Sequence, residues 1–474
     1  MITRTLNKGY ILIALVAYSC VPKLSIQEAN KVVPEQYAGK RDTTNTAKTN
    51  WRTYFNDEYL IALIDTALSK NQELNIFLQE LEVAKNEVRA RKGEYLPFVD
   101  VGAGAGIEKV GHYTRDGAVE ENLQIKEGKE FPEPLPDFMI GARARWELDV
   151  WRKLRNAKKS ALVRYLSSVE GRNFMVTNLI AEIANSYYEL LALDSQLEIV
   201  MQNIQIQSDA LEVVKLQKQS ARVTELAVKR FEAQVLDTKS LEFEIRQLIV
   251  ETENRINFLL GRYPQPIVRD LQKFSDPVPD SIMAGIPSQL LENRPDIRQA
   301  ELELAAAKLD IHVAKAKFYP SVGITAGIGY QAFNAKYLLT TPESLMYSMF
   351  GDIVAPAINR NAIKAVYNSA NAQQIQAVYN YEQTVLNAFI EVVNQLSNID
   401  NLKKSYDLKE LQVQALTESV DISNNLFKSA RADYMEVLLT QREALESRFD
   451  LVETKMQQTH AWINIYRALG GGWN

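Results

Sequence analysis

The chain has 474 residues, of which 46% are hydrophobic and 24% are charged, and its formal net charge is −5. A chain of this length has room for two or three ordinary domains. Because no excess of basic residues is present, the composition argues against a nucleic-acid-binding protein.

Residues 1–19 have the pattern of an export signal. Arg4 and Lys8 supply its positive region, and the apolar run Tyr10–Ala17 is too short to span a bilayer. Cys20 follows directly and is the only cysteine, so no intrachain disulfide can form. A lone cysteine is usually a buried or incidental thiol. Its position after a signal nevertheless favours lipid attachment at Cys20, which would tether the mature protein to a membrane.

A polar segment, residues 20–55, follows and is interpreted as a tether. Apolar residues then recur every three or four positions and predict a helix over Asp57–Arg91, which Pro97 ends. Two alternating runs, Val99–Ile107 and Phe138–Val150, flank a polar loop. Each has apolar residues on one face and small or charged residues on the other, which is typical of transmembrane barrel strands. The same periodicity fits an amphipathic hairpin in a soluble sheet equally well.

The stretch Arg152–Gln217 contains no proline and a single glycine, and it predicts one long helix of coiled-coil composition. A second helix is predicted over Val223–Leu260, and a proline-containing linker, residues 263–285, follows. A continuous helix through both stretches is the alternative. We prefer a turn at Ser220-Ala221-Arg222, because the apolar periods on its two sides fall out of phase.

The second half of the chain repeats the first. It predicts a helix over Ile286–Lys317, strands near Val322–Tyr330 and Leu345–Ala355, a long helix over Asn359–Lys428 and a return helix over Asp433–Leu469. The repeat is also visible in letters. The matched sets are Arg155-Asn156-Ala157 with Arg360-Asn361-Ala362, Ser220-Ala221-Arg222 with Ser429-Ala430-Arg431, and Gly261 with Gly470.

The repeat implies an oligomer if its strands enter a membrane. Four strands cannot close a transmembrane barrel, which needs at least about eight, and an open strand edge is not tolerated in lipid. Three copies would supply twelve strands. The short leading and return helices would stack end to end beside the long ones.

In this order, the elements resemble the TolC-like outer-membrane efflux family, in particular its lipoprotein branch, the outer-membrane factors of tripartite RND-type pumps. The resemblance covers nearly the whole mature chain. It is carried by Pro97 and Pro320, Trp146–Trp151, Ile286-Pro287 with Arg294-Pro295-Asp296-Ile297, Ser220–Leu226, Phe427–Leu438 and Ala468–Trp473. The family usually has glycine at each tip turn, where this chain has Ala221 and Ala430.

The resemblance implies a mainly α fold with a small membrane β-barrel portion. A homotrimer would combine a twelve-stranded barrel, four transmembrane strands per chain, with a long periplasmic α-helical barrel of coiled-coil hairpins. The chain would then comprise a signal (1–19), a lipidated tether (20–55), a first structural repeat (56–262), a linker (263–285) and a second repeat (286–474).

The implied function is a passive duct in the cell outer membrane, lipid-anchored in that membrane. It would carry drugs, toxic compounds or metals outwards. A periplasmic adaptor, fed by an inner-membrane transporter, would open the duct at its helical tips. Two alternatives remain at this point, which are an exit channel for type I protein secretion and a periplasmic coiled-coil scaffold or adaptor.

No enzyme is predicted, and no cofactor. The three histidines lack metal-ligand spacing, and the Gly-x-Gly runs lie within strands, where they do not form a phosphate loop. A gate is predicted just before the second tip, where a ring of three Asp421 side chains would favour cations. An ordinary solvated helix face is the alternative. The candidate gate residues are Thr417, Asp421, Asn424 and Asn425.

Overall fold

The computed structural model describes residues 21–22, 24–37, 44–278, 283–356, 360–429 and 431–473. The predicted signal, Cys20 and Ala430 lie outside these residues. The chain divides into two units. The sheet unit contains Glu82–Leu166, Leu302–Val378 and the segment up to Glu28, and the helical unit contains Ala29–Leu81, Ser167–Glu301 and Tyr379–Asn474.

The elements follow the repeat. The first half contains α1 (Trp51–Phe55), α2 (Glu58–Lys70), α3 (Gln72–Glu94), β1 (Phe98–Glu108), α4 (Arg115–Asn122), β2 (Gln124–Lys126), β3 (Lys129–Glu130), β4 (Leu135–Glu147), α5 (Lys153–Gln219) and α6 (Glu225–Leu259). The second half contains α7 (Gln272–Ser275), α8 (Leu290–Asn293), α9 (Pro295–Ala316), β5 (Ser321–Ala332), β6 (Leu345–Val354), α10 (Asn361–Lys428) and α11 (Tyr434–Ala468).

The two long helices are unbroken, as predicted. Helix α5 has 67 residues and α10 has 68, so each is about 100 Å long at about 1.5 Å per residue. Within the described ranges, no helix carries an apolar stretch long enough to cross a bilayer.

The two leading helices are each interrupted, which the sequence analysis did not predict. Asn71 separates α2 from α3, because its side-chain oxygen accepts the backbone N–H of Leu74 at 2.8 Å and so caps the new helix. Arg294 separates α8 from α9, because the residue before a proline is disfavoured in the helical conformation. The predicted loop after β1 also contains the short helix α4 and the hairpin β2–β3.

The ends of the return helices meet these interruptions within the helical unit. The side-chain amide of Asn71 donates to the carbonyl of Leu259 at 2.9 Å. A Cβ atom at Gly261 would lie 2.4 Å from the carbonyl oxygen of Lys70, and one at Gly470 would lie 2.6 Å from that of Asn293. Both glycines have positive φ, so only glycine fits at these two junctions.

The four main strands form one antiparallel sheet in the order β1-β4-β5-β6. Its register places the predicted apolar residues of all four strands on one face, which we call the apolar face. Strand β6, whose alternation is weak in sequence, joins this pattern through its register with β5. Members of the apolar face are Val99, Val101, Ile107, Ile140, Trp146, Ile324, Ile328, Tyr347, Met349 and Ile353.

Two stretches of the predicted tether contact helix α10. Within the sheet unit, the backbone N–H of Gln27 donates to Oε1 of Gln374 at 3.1 Å, and Nε2 of Gln374 donates back to the carbonyl of Gln27 at 2.7 Å. Within the helical unit, Tyr37 stacks on Phe389 with ring centroids 5.6 Å apart. The segment is therefore packed on helix α10 over residues 27–37.

The main core lies in the helical unit. Tyr54 stacks between Trp462 and Tyr466, at centroid distances of 4.3 and 4.1 Å. Leu60, Ile64, Tyr187, Leu190 and Leu191 are fully buried in the same cluster. Burial of each such side chain stabilises the fold by about 1.5–3 kcal/mol, so this cluster holds the leading and return helices together.

Candidate functional site at the sheet face and helical tips

The second face of the sheet, which we call the polar face, carries charges in rows defined by the register. The row nearest the helices joins Glu147, Gly323 and Asp352, and the next joins Phe98, Arg145, Thr325 and Phe350. The third row joins Asp100, Arg143, Gly327 and Ser348. Two arginines therefore lie in adjacent rows near the helical end of the sheet.

Beyond the arginines, a row of glycines leaves the polar face without projecting side chains. Gly141 on β4 pairs directly with Gly329 on β5, and Gly102 flanks them on β1. A Cβ atom at Gly329 would lie 2.5 Å from the carbonyl oxygen of Ile140, so these strands approach more closely than side chains allow. This close approach is the physical reason for glycine in both central strands.

The apolar face and both sheet edges lack partners within the described part of the chain. Val101 is 79% exposed, Tyr347 80% and Ile353 73%. Strands β1 and β6 each pair on one side only. A contiguous apolar surface with open edges marks a site of association with lipid or with another chain.

The junction from the sheet to α5 is held by one buried carboxylate. Asp149 accepts hydrogen bonds from the backbone N–H groups of Leu154 at 2.8 Å and Arg155 at 3.0 Å. The Arg155 side chain also pairs with it at 3.1 Å. Asp149 thus caps the first turn of α5 and fixes its entry from β4. Nearby, Trp151 donates its indole N–H to the carbonyl of Pro320 at 2.7 Å.

The first predicted tip lies in the turn between α5 and α6. Ala221 has a φ of +56°, its N–H donates to the carbonyl of Lys218, and the N–H of Arg222 donates to that of Gln217, both at 2.9 Å. This is the Schellman helix ending, which normally has glycine at the left-handed position. Ser220 precedes it and is exposed. Across the turn, Lys218 forms an ion pair with Glu225, and its hydrogen bond lowers the pKa of that carboxyl.

The second predicted tip has the same backbone pattern where it is described. The N–H of Arg431 donates to the carbonyl of Leu426 at 2.9 Å, and Ser429 ends the last turn of α10. The two turns share one apolar cluster, which we call the tip cluster. It contains Leu211, Val214, Val228, Phe231, Val235, Phe427, Val437 and Leu438.

The four candidate gate residues lie along α10 and do not form a cluster. Asp421 and Asn425 are exposed, whereas Thr417 and Asn424 are half-buried. Thr417 accepts a hydrogen bond from Nη2 of Arg448 at 3.3 Å. Asp421 forms no ion pair with any described residue, so its charge faces outwards from this chain.

Several arginines of the polar face and of the ion-pair networks were not predicted from the sequence. Arg143 and Arg145 were not singled out, although charged residues on one face of an alternating strand were the available signal. Buried Arg294 pairs with Asp296 and Glu391, and half-buried Arg269 pairs with Asp194 and Glu253. Only the Arg-Pro-Asp sequence at Arg294 pointed to either arginine. Within the described ranges, no group of three His, Cys, Asp or Glu side chains has the geometry of a metal site.

The comparisons agree with this geometry. The family model described as "Outer membrane efflux protein" matches residues 63–262 and 286–471. The cation efflux system protein CusC of Escherichia coli is 26% identical over 97% of both chains. The pyoverdine export outer membrane protein OpmQ of Pseudomonas aeruginosa is 25% identical over 98% of this chain and 97% of that protein. The open-state MtrE outer membrane channel of Neisseria gonorrhoeae superposes with a TM-score of 0.81 at 21% identity, covering 96% of this chain and 99% of that one.

Proposed function

The chain belongs to the outer membrane efflux protein family, and we propose that it works as an efflux channel of the outer membrane in the following way. Three copies close their sheets into one twelve-stranded barrel and their helices into one helical barrel. The assembly is a passive exit duct of a tripartite system. An inner-membrane transporter, of RND type, supplies the energy, and a periplasmic adaptor connects the two. No catalytic step is assigned to this chain.

The open sheet is the observation that carries this proposal. Its strands run up and down in sequence, so β6 of one copy can pair antiparallel with β1 of the next and continue the ladder. Ring closure removes both open edges, which a membrane requires. The apolar face then meets lipid, and the polar face lines the interior.

The exposed helix faces support side-by-side assembly. On α6, Leu236, Phe243 and Val250 follow one another at seven-residue intervals and are all exposed. On α10, Leu408 and Ile422 are exposed two heptads apart. Apolar residues at this spacing form the contact seam of neighbouring helices in coiled coils. We assign these seams to contacts between copies in the helical barrel.

The N-terminal segment is proposed to be the membrane anchor. After removal of residues 1–19, lipid on Cys20 would hold the tether (20–55) at the membrane. Packing of residues 27–37 on α10 supports a fixed path for this segment. The two structural repeats are proposed to comprise residues 56–262 and 286–474, joined by a linker at residues 263–285.

The tips are proposed as the regulated end of the duct. Ser220, Ala221 and Arg222, with Ser429, Ala430 and Arg431, form the surface that meets the adaptor. Thr417, Asp421, Asn424 and Asn425 line the constriction. Polar groups at a constriction exchange hydrogen bonds with water at low cost, so the helices can shift there to open.

The cargo is proposed to be small molecules, in a class that includes drugs, toxic compounds and metal ions. One relative is named for cation efflux and another for pyoverdine export, so the relatives differ in what they carry. A duct that is not specific for a single cargo is consistent with both names.

The test is assembly and conduction of the full chain. Outer-membrane detergent extracts are analysed by gel electrophoresis with and without heating, and the purified protein is inserted into planar bilayers. We expect a heat-sensitive trimer that forms ion-conducting channels. A monomer recovered in the soluble periplasmic fraction, or a trimer without conductance, would overturn the proposal.

A further inference from the structure

Arg143 is the unpaired cation of the polar face. It lies in the middle of β4, with Asp100 opposite on β1 and Gly327 opposite on β5. The nearest acid is already engaged, because Nη2 of Arg145 donates to Oδ2 of Asp100 at 2.8 Å. Within the described ranges, the Arg143 side chain forms no ion pair or hydrogen bond. Asp100 is therefore engaged by Arg145, and Arg143 is the cation of this face that has no ion-pair partner among the described residues.

The surface around Arg143 is open. Gly141 precedes it by one row, and a Cβ atom at Gly102 would meet nothing within 4 Å. A shallow cavity of about 330 Å³ lies over these rows, and its side chains include Asp100, Met139, Arg143, Arg145, Met346 and Ser348. A small solute can therefore approach the guanidinium without displacing another side chain.

A structural role does not account for this side chain. A charged residue in a membrane-spanning strand is strongly disfavoured against lipid, so Arg143 must face water. By contrast, Arg155 at the start of α5 pairs with the buried carboxylate of Asp149. A cation that faces an aqueous interior and has no partner is available to solutes.

We propose that Arg143 determines charge specificity in the sheet portion of the duct, where three copies form a ring that attracts anionic solutes. The inference rests on the proposed trimeric duct. Rings of arginine favour anions by direct electrostatic attraction, in a part of the duct where walls of low dielectric strengthen the field. Molecules that carry a carboxylate or another anionic group are the cargo class this ring favours. It acts with the opposite sign to the proposed Asp421 ring.

The test compares reversal potentials of the full-length trimer in planar bilayers under a potassium chloride gradient. Arg143→Gln removes the free charge, and we expect the chloride-to-potassium permeability ratio to fall by at least about threefold. Asp100→Asn releases Arg145 from its partner, so we expect the ratio to rise. Arg115→Gln is the matched control, because Arg115 lies in α4, is 91% exposed and pairs only with Asp116 in the described structure.

The outcomes separate the two proposals. An unchanged permeability ratio in Arg143→Gln, with wild-type conductance, would overturn the role of Arg143 and leave the duct intact. A wild-type protein without any conductance would overturn the duct, and the inference with it. If Arg143→Gln does not assemble, the direction of the Asp100→Asn shift decides, and a fall or no change would contradict the proposal.

Discussion

The guanidinium of Arg294 donates from Nη1 to a carboxylate oxygen of Glu391 at 2.8 Å. The same nitrogen donates to the carbonyl of Ala468 at 2.7 Å, and the remaining donors form a fork on Asp296. Burial acts to lower the pKa of Arg294, but hydrogen bonds and charges from Asp296 and Glu391 outweigh it and raise the pKa. One side chain therefore joins the start of α9 to α10 and to the end of α11.

Arg294→Ala should be strongly destabilising, because it leaves the half-buried carboxylate of Asp296 and the carbonyl of Ala468 without this donor, and leaves Glu391 with Arg467 alone. We expect a loss of about 3–5 kcal/mol in unfolding free energy, measured by denaturant titration in detergent. Arg294→Lys keeps the charge but loses the forked hydrogen bonds to Asp296. Its unfolding free energy should therefore lie between those of the wild type and Arg294→Ala. Arg442→Ala is the control. Its pair with Glu446 is long, at 3.7 Å, and exposed, so the loss should be at most about 1 kcal/mol. Equal losses in the two alanine variants would contradict the assignment.

Gly470→Ala should destabilise the fold, whereas the same substitution at an unconstrained glycine should not. At φ +90°, with the Asn293 carbonyl 2.6 Å from the new Cβ, the substitution should cost at least about 2 kcal/mol. The same change at Gly93, in α3, meets nothing within 4 Å, and it should be neutral or stabilising by up to about 0.5 kcal/mol. Thermal unfolding monitored by circular dichroism measures both. Similar behaviour of the two variants would show that the junction is not tight.

Neighbouring substitutions on β1 should report which face meets lipid. Val101→Arg places a charge on the apolar face and should disfavour the membrane-inserted state by about 2–4 kcal/mol. Gly102→Arg places the same side chain on the polar face, where a Cβ has free space, and should be tolerated. The measured quantity is the yield of heat-sensitive trimer from the outer membrane. A greater loss for Gly102→Arg than for Val101→Arg would reverse the assignment of the two faces.

Asp421→Ala should raise single-channel conductance if the exposed carboxylate lines the constriction. Removal of three charges and their hydration would widen the gate. Asp237→Ala, an exposed acid on α6 outside the proposed gate, removes the same charge and should leave conductance unchanged. Single-channel recording in planar bilayers compares them. Unchanged conductance in Asp421→Ala would leave Asp421 as part of an ordinary solvated helix face.

His460 should make stability depend on pH below its ordinary pKa of 6.5. Burial lowers the pKa of His460, whose Nε2 lies 3.1 Å from the carbonyl oxygen of Asn185, with Glu189 and Arg255 nearby. The folded state therefore favours the neutral ring. Its contribution is complete above the unfolded pKa of 6.5 and is lost as pH falls from there through the folded pKa. The wild type should lose more stability than His460→Gln between about pH 7.5 and about pH 5.5, measured by denaturant titration. Identical pH profiles would contradict this.

Much of the fold was predictable because its information is local. The long helices α5 and α10, the alternation of β1 and the duplicated Ser-Ala-Arg turns depend on periods of two to four residues and on repeated letters. The candidate site was harder to predict from the sequence than the fold. Thr417, Asp421, Asn424 and Asn425 were chosen as polar residues at helical spacing, and that choice stays a prediction.

The repeat, the lengths of the long helices and the two faces of the strands could be read from the amino-acid sequence, since period and composition establish them without distant contacts. The three-dimensional contacts were needed to identify the distant residues that pack against the interruptions at Asn71 and Arg294, and the pairing that leaves Arg143 without an acid. Each depends on a partner that the fold brings close, such as Leu259, 188 residues from Asn71. Hydrogen bonds and charges act over a few ångströms of space, and sequence periodicity does not record which distant residues will occupy that space.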